Sequence, residues 1–100
     1  MRLTHEQADI IKQETVAVFG PGSCVRLFGS RVDDQARGGD IDLYIEATGE
    51  VETSLLNLKT NLLSRLWQRL GPQRIDLLVR MEQQPLAPIH RDALEQGVLL

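Results

Sequence analysis

Two period-two segments joined by a long amphipathic stretch constrain this chain more than anything else in it. In Asp40-Ile-Asp-Leu-Tyr-Ile-Glu46, positions 41, 43 and 45 are apolar while 40, 42, 44 and 46 are Asp, Asp, Tyr and Glu. Arg74-Ile-Asp-Leu-Leu-Val-Arg80 repeats the pattern, with Ile75, Leu77 and Val79 apolar and Asp76 on the other side. Strict alternation is the mark of a strand with one face in a core. Between them, from about Val51 to Leu70, apolar residues recur at 55/56, 58, 62/63, 66/67 and 70, a helical spacing that Gly71-Pro72 ends. A helix of that length between two strands is a crossover, so the spacing predicts that these strands lie parallel and adjacent.

The flanking segments fill out the order. Thr4-His-Glu-Gln7 has the form of a capping box and opens a helix with Ala8, Ile11, Thr15 and Val18 on one face. Gly20-Pro21-Gly22 stops it. Cys24-Val-Arg-Leu-Phe28 reads as a short strand ending at Gly29-Ser30, and Arg31 to Gly39 as a helical turn plus loop. After Pro85, a last helix runs from about Pro88 to Gln96 with Gly97 as its cap. The predicted order is α-β-α-β-α-β-α in one domain over residues 1–100, of α/β (α+β) class. With so few helices, one face of the sheet is expected to stay open and to carry the aspartates.

Composition narrows the function. Leu, Ile, Val and Phe make up 31 of the 100 residues, enough for a folded core. The formal charge is −3 and no basic run exceeds two residues, which argues against nucleic-acid or membrane-surface binding. No apolar run is long enough to span a bilayer, and the N-terminus lacks a signal-peptide pattern. The single cysteine, Cys24, excludes a disulfide framework, and a cytoplasmic location is expected.

Aspartate is depleted in strands, so Asp40 and Asp42 at i and i+2 need a reason. Both side chains point to one side of the sheet, and Asp76 joins them if the next strand is in register. Like charges ~4 Å apart repel by about 4 kcal/mol at an effective dielectric of 20. A hard divalent cation removes that penalty, and Mg²⁺ favours a few carboxylates together with phosphate oxygens. The alternative is a solvated acidic face neutralised by Arg74 or Arg80. Gly29-Ser30 adds a close-approach glycine and a hydroxyl, with helix-start amides, suited to an anion, or else forms an ordinary turn. His5 and His90 do not form a ligand set, and Cys24 reads as a small buried hydrophobe.

Phe28-Gly-Ser-Arg31 followed by Ala36-Arg-Gly-Gly-Asp-Ile-Asp-Leu-Tyr-Ile45 resembles the minimal nucleotidyltransferases of the polymerase-beta-like superfamily. Their pattern is Gly-Ser, a loop of roughly ten residues, then Asp-x-Asp; here nine residues separate Ser30 from Asp40. Asp76 looks like the family's third carboxylate, and the tail from Ile89 to Leu100 is similar to theirs. The resemblance implies a small three-stranded mixed sheet in the order 1-2-3 with flanking helices. It also implies transfer of a nucleoside monophosphate from an NTP such as ATP to a hydroxyl. Gly29, Ser30 and Arg31 would bind the nucleotide, and Asp40, Asp42 and Asp76 would be the catalytic, Mg²⁺-binding carboxylates, holding two ions. Short members commonly accompany a HEPN-domain ribonuclease toxin and act as its antitoxin, in some systems by adding AMP to a toxin tyrosine. Neutralisation by complex formation alone is the alternative. Leu99, Leu100 and Trp67 are candidates for a partner interface or for peripheral packing.

Overall fold

The computed structural model describes residues 3–29, 41–48, 54–82 and 84–100. Helix α1 spans His5–Phe19 and starts as its sequence requires. The Thr4 hydroxyl accepts from the Gln7 amide and the Gln7 side chain accepts from the Thr4 amide, both at 3.0 Å. The chain reverses at Gly20, whose φ of +100° suits glycine. Thr4→Ala removes one acceptor for an otherwise unpaired helix amide and should cost about 1 kcal/mol of unfolding free energy in a urea titration.

Strand β1 is Cys24–Phe28, β2 is Ile41–Ala47, α2 is Leu55–Leu70 and β3 is Ile75–Met81. Helix α2 begins later than the apolar spacing from Val51 suggests. Ser54 is extended (φ −66°, ψ 149°), and its hydroxyl accepts from the Asn57 amide at 3.2 Å. That cap decides the start, because an extended residue cannot continue a helix. The parallel pairing of β2 with β3 is present, Ile41 opposite Ile75 through Ala47 opposite Met81. The remaining elements are α3, Pro88–Gln96, and β4, Val98–Leu99.

Among the described residues the sheet has four strands in the order β3-β2-β1-β4, where three in the order 1-2-3 were expected. Strand β4 is antiparallel to β1, with Leu99 opposite Arg26 and Val98 opposite Leu27. The Leu100 amide continues the ladder to the Val25 carbonyl at 3.0 Å. The expected order of the first three strands is kept; β1 simply has a second free edge, which the end of the chain fills. The described residues thus form a small α+β fold of three helices and a mixed sheet.

One sheet face carries the core. Val25 and Leu27, Ile41, Leu43 and Ile45, and Ile75, Leu77 and Val79 pack with Ile11 of α1 and Leu62 and Leu66 of α2. Glu14 ties the two helices together through Arg65 and Arg69, each at 3.2 Å. The tail residues divide: Leu100 packs against the core, whereas Leu99 is exposed. Trp67 is partly exposed and its indole N–H donates to the Gln73 carbonyl at 2.8 Å.

The second face departs from expectation. Helix α3 packs on β1 and β2 there, and Tyr44 beneath it is fully buried. The His90 ring stacks on Tyr44 with centroids 5.8 Å apart and planes inclined by 26°. His90 also caps its own helix, its Nδ1 accepting from the Ala87 amide at 3.0 Å. Gly97 stands at the helix end as expected but with φ −76°, so it supplies no left-handed turn. Its role is steric: a Cβ there would run into the Ala93 carbonyl and press on the Arg26 side chain.

No helix among the described residues is long and apolar enough to cross a membrane.

Candidate active site

The site residues in view come from three strand ends that meet at one end of the sheet. Antiparallel pairing sets Phe28 opposite Asp42, and parallel pairing sets Asp42 opposite Asp76. Register partners in adjacent strands share a face, so both carboxylates project from the second face at the start of their strands. Neighbouring strands lie about 4.8 Å apart, which brings the two acids into each other's field. Asp42 is half-buried and Asp76 exposed.

Gly29 completes the corner. It follows β1 directly and has φ +76°, a conformation that a side chain disfavours. A Cβ at this position would collide with the Asp42 carboxylate. The glycine therefore does two things at once: it turns the chain out of β1 and leaves the space in which the Asp42 carboxylate lies. Of the other expected site residues, Ser30, Arg31 and Asp40 lie outside the described residues, as does the whole segment from Arg31 to Gly39 read as a turn and loop.

Charge on this face is sorted along the strands. At the far end Glu46 is held between Arg26 at 3.0 Å and Arg80 at 3.1 Å. Of the two arginines in the alternative reading, Arg80 bonds Glu46 and the Gln84 carbonyl, whereas Arg74 immediately precedes β3 at the aspartate end. The Arg26–Glu46–Arg80 cluster thus lies at one end of the face, and Asp42 and Asp76 lie at the other with Arg74.

Between the two ends stands Tyr44. Among the described residues its buried hydroxyl lies near Glu46 and Arg80 without a well-formed hydrogen bond, an arrangement that costs about 1–3 kcal/mol. Burial, with the Glu46 carboxylate beside it, pushes its pKa above the ordinary 10.0. Tyr44 is the only tyrosine in the chain, so phenolate absorbance reads it alone. An alkaline titration should show a midpoint above 10.0. A folded-state pKa raised above the unfolded value means stability is intact below pH 10 and falls as pH rises through the folded value. Tyr44→Phe should flatten that alkaline decline and leave stability at neutral pH equal to wild type or higher.

Alternation put Asp42 and Asp76 on the outward face, with their adjacency conditional on register, and Gly29 entered through the Gly-Ser turn and the resemblance. Neither foresaw the Arg26–Glu46–Arg80 cluster or the seating of Tyr44 under His90. The signal for the cluster was present: positions 26, 46 and 80 have the parity of the outward face on their three strands. His90 left no such trace, because a lone histidine in a short helix does not reveal what lies beneath it.

Among the described residues no three His, Cys, Asp or Glu side chains converge as a metal site. The donor set in view, two carboxylates adjacent on one face, nonetheless has the hard-oxygen chemistry that Mg²⁺ requires. No protein-family model, curated protein or solved structure matches the chain.

Proposed function

We propose that this chain is a Mg²⁺-dependent nucleotidyltransferase of the minimal, polymerase-beta-like kind, moving AMP from ATP to a hydroxyl. The observation that carries the reading is the register of Asp42 against Asp76, beside a glycine turn whose open space the Asp42 carboxylate occupies. Three further features support it: the Gly29-Ser30 and Asp40-x-Asp42 spacing, the crossover order of elements, and the diversion of Arg80 to Glu46. Two carboxylates on adjacent strands of one face supply the hard oxygen donors that a Mg²⁺ ion takes together with phosphate oxygens.

In this reading the Gly29 corner and the Ser30 and Arg31 groups hold the triphosphate. Asp40, Asp42 and Asp76 would hold Mg²⁺, which when bound neutralises charge on the phosphates and on the attacking oxygen. The acceptor hydroxyl oxygen forms a bond to the α-phosphorus, the bond from that phosphorus to the bridging oxygen breaks, and pyrophosphate departs. The hydroxyl proton passes to the Asp76 carboxylate, the more open of the two acids in view.

The acceptor we favour is a tyrosine of a HEPN-domain ribonuclease toxin, with this chain as its antitoxin in the cytoplasm. The ground for a protein acceptor that presents its own hydroxyl is the resemblance to the short antitoxin members. The test is to mix the chain with the protein encoded beside it, α-labelled ATP and Mg²⁺. Label should appear on the partner, and chelating the metal should abolish it. Absence of label with every NTP, together with no thermal shift by Mg²⁺-ATP, would overturn the enzyme. Neutralisation of the partner that survives Asp42→Asn would assign the effect to complex formation instead.

A further inference from the structure

Strand β3 is the edge of the sheet, and among the described residues no strand lies beyond it. The Arg74 carbonyl accepts from the Ile41 amide at 2.9 Å and so faces β2. Backbone groups alternate along a strand, so Asp76, Leu78 and Arg80 also turn theirs inward. Ile75, Leu77, Val79 and Met81 turn theirs outward. Met81 is closed by Gln84, whose side-chain oxygen takes its amide at 2.8 Å and whose amide meets its carbonyl at 2.9 Å. Among the described residues, the outward groups of Ile75, Leu77 and Val79 form a short open template.

Open edges invite pairing, and proteins blunt them with charges. Here the charges select instead of forbid. Laid antiparallel on a second copy about Leu78, the segment Ile-Asp-Leu-Leu-Val-Arg-Met is complementary to itself. Leu77 meets the partner copy's Val79 through outward backbone groups. Leu78 meets its own equivalent, and Asp76 lies opposite the partner copy's Arg80 on both sides of the axis, an arginine whose Nη1 and Nε also hold its own Glu46 and Gln84 carbonyl. Sliding by two residues one way sets Arg80 opposite Arg74, and sliding the other way sets Asp76 opposite Glu82. Two further steps set Asp76 against Asp76 or Arg80 against Arg80. Opposite charges across a ladder favour pairing and like charges oppose it. Of these five registers, only the one centred on Leu78 sets opposite charges across the ladder.

We infer that two copies of this chain pair along β3 into a continuous eight-stranded sheet, with Leu78 on the two-fold axis. The pairing sets the partner copy's Arg80 across from Asp76, so each copy contributes a side chain at the border of the other's candidate site. Leu78 and Asp76 sit on the side of the sheet that α3 covers over β1 and β2, and neither is fully buried.

Sedimentation equilibrium over a micromolar-to-millimolar series tests this. The wild-type mass should rise from 11.2 kDa toward twice that value. Leu78→Lys alone and Leu78→Glu alone place like charges on the axis and should remain monomeric. An equimolar mixture of the two pairs Lys with Glu and should recover the dimer. A wild type that stays monomeric, a Leu78→Lys chain that still dimerises, or a mixture that stays monomeric would each overturn the proposal. Should circular dichroism show a charged variant unfolded, oxidation of Cys24→Ala/Leu78→Cys decides. Opposed residues of this non-hydrogen-bonded type lie about 4.5 Å apart between Cα atoms, inside disulfide range. A covalent dimer is expected, and its absence would overturn the pairing.

Discussion

Asp76→Asn is expected to lower nucleotide transfer by about 10²–10⁴-fold, the usual worth of a positioned acid or base, while the fold keeps or gains stability. The two halves of that expectation have one cause. Asp76 is exposed on an edge strand, directly beside Asp42, and the structure's ion pairs leave Arg80 committed to Glu46. Removing its charge relieves repulsion with its neighbour, although solvent screening limits the gain to about 1 kcal/mol or less. A residue kept for stability would behave the other way, with melting temperature falling and activity following it. Label transfer and thermal melts on the same preparations separate the cases. Full activity in Asp76→Asn would remove this carboxylate from the chemistry. The thermal shift produced by Mg²⁺-ATP should shrink in parallel with activity, since the same oxygens are proposed to meet the metal.

Much of this site could be read from the chain because period two is a strong rule. Once 41, 43 and 45 are placed in a core, Asp42 must emerge on the other face, and Asp76 follows through Ile75, Leu77 and Val79. Register was a conditional step, since nothing local states which residue of β3 stands beside Asp42. Strand β4 was not legible: two residues carry no periodicity, and their pairing depends on the free edge of β1, far away in sequence. Helix α3 was legible as a helix but not in its position. Its one buried side chain, Ala93, says little about which face it covers. That position matters, because α3 covers Tyr44 between the two ends of the second face. The start of α2 was missed for a local reason, a serine cap outweighing an apolar residue at the expected first turn.

Gly29→Ala should cost both stability and activity, and the two losses should be coupled to Asp42. Alanine at φ +76° carries a backbone penalty of roughly 1–2 kcal/mol. The added methyl also needs the space now filled by the Asp42 carboxylate, so the carboxylate must move or the turn must open. A displacement of about 1 Å at a reacting centre can lower rate by about 10²-fold, which is the loss expected in the transfer assay. A double-mutant cycle separates the two terms. In an Asp42→Ala background the collision partner is gone, and Gly29→Ala should then cost only the backbone term. Additive costs across the cycle would mean that the glycine serves the turn alone, and that the carboxylate is not held where the corner leaves room for it. Non-additivity, read as a coupling of about 0.5–3 kcal/mol in chemical denaturation, would tie the turn out of β1 to the placement of the carboxylate on β2. Glycine at this position would then be required by the acid beside it as well as by the path of the chain.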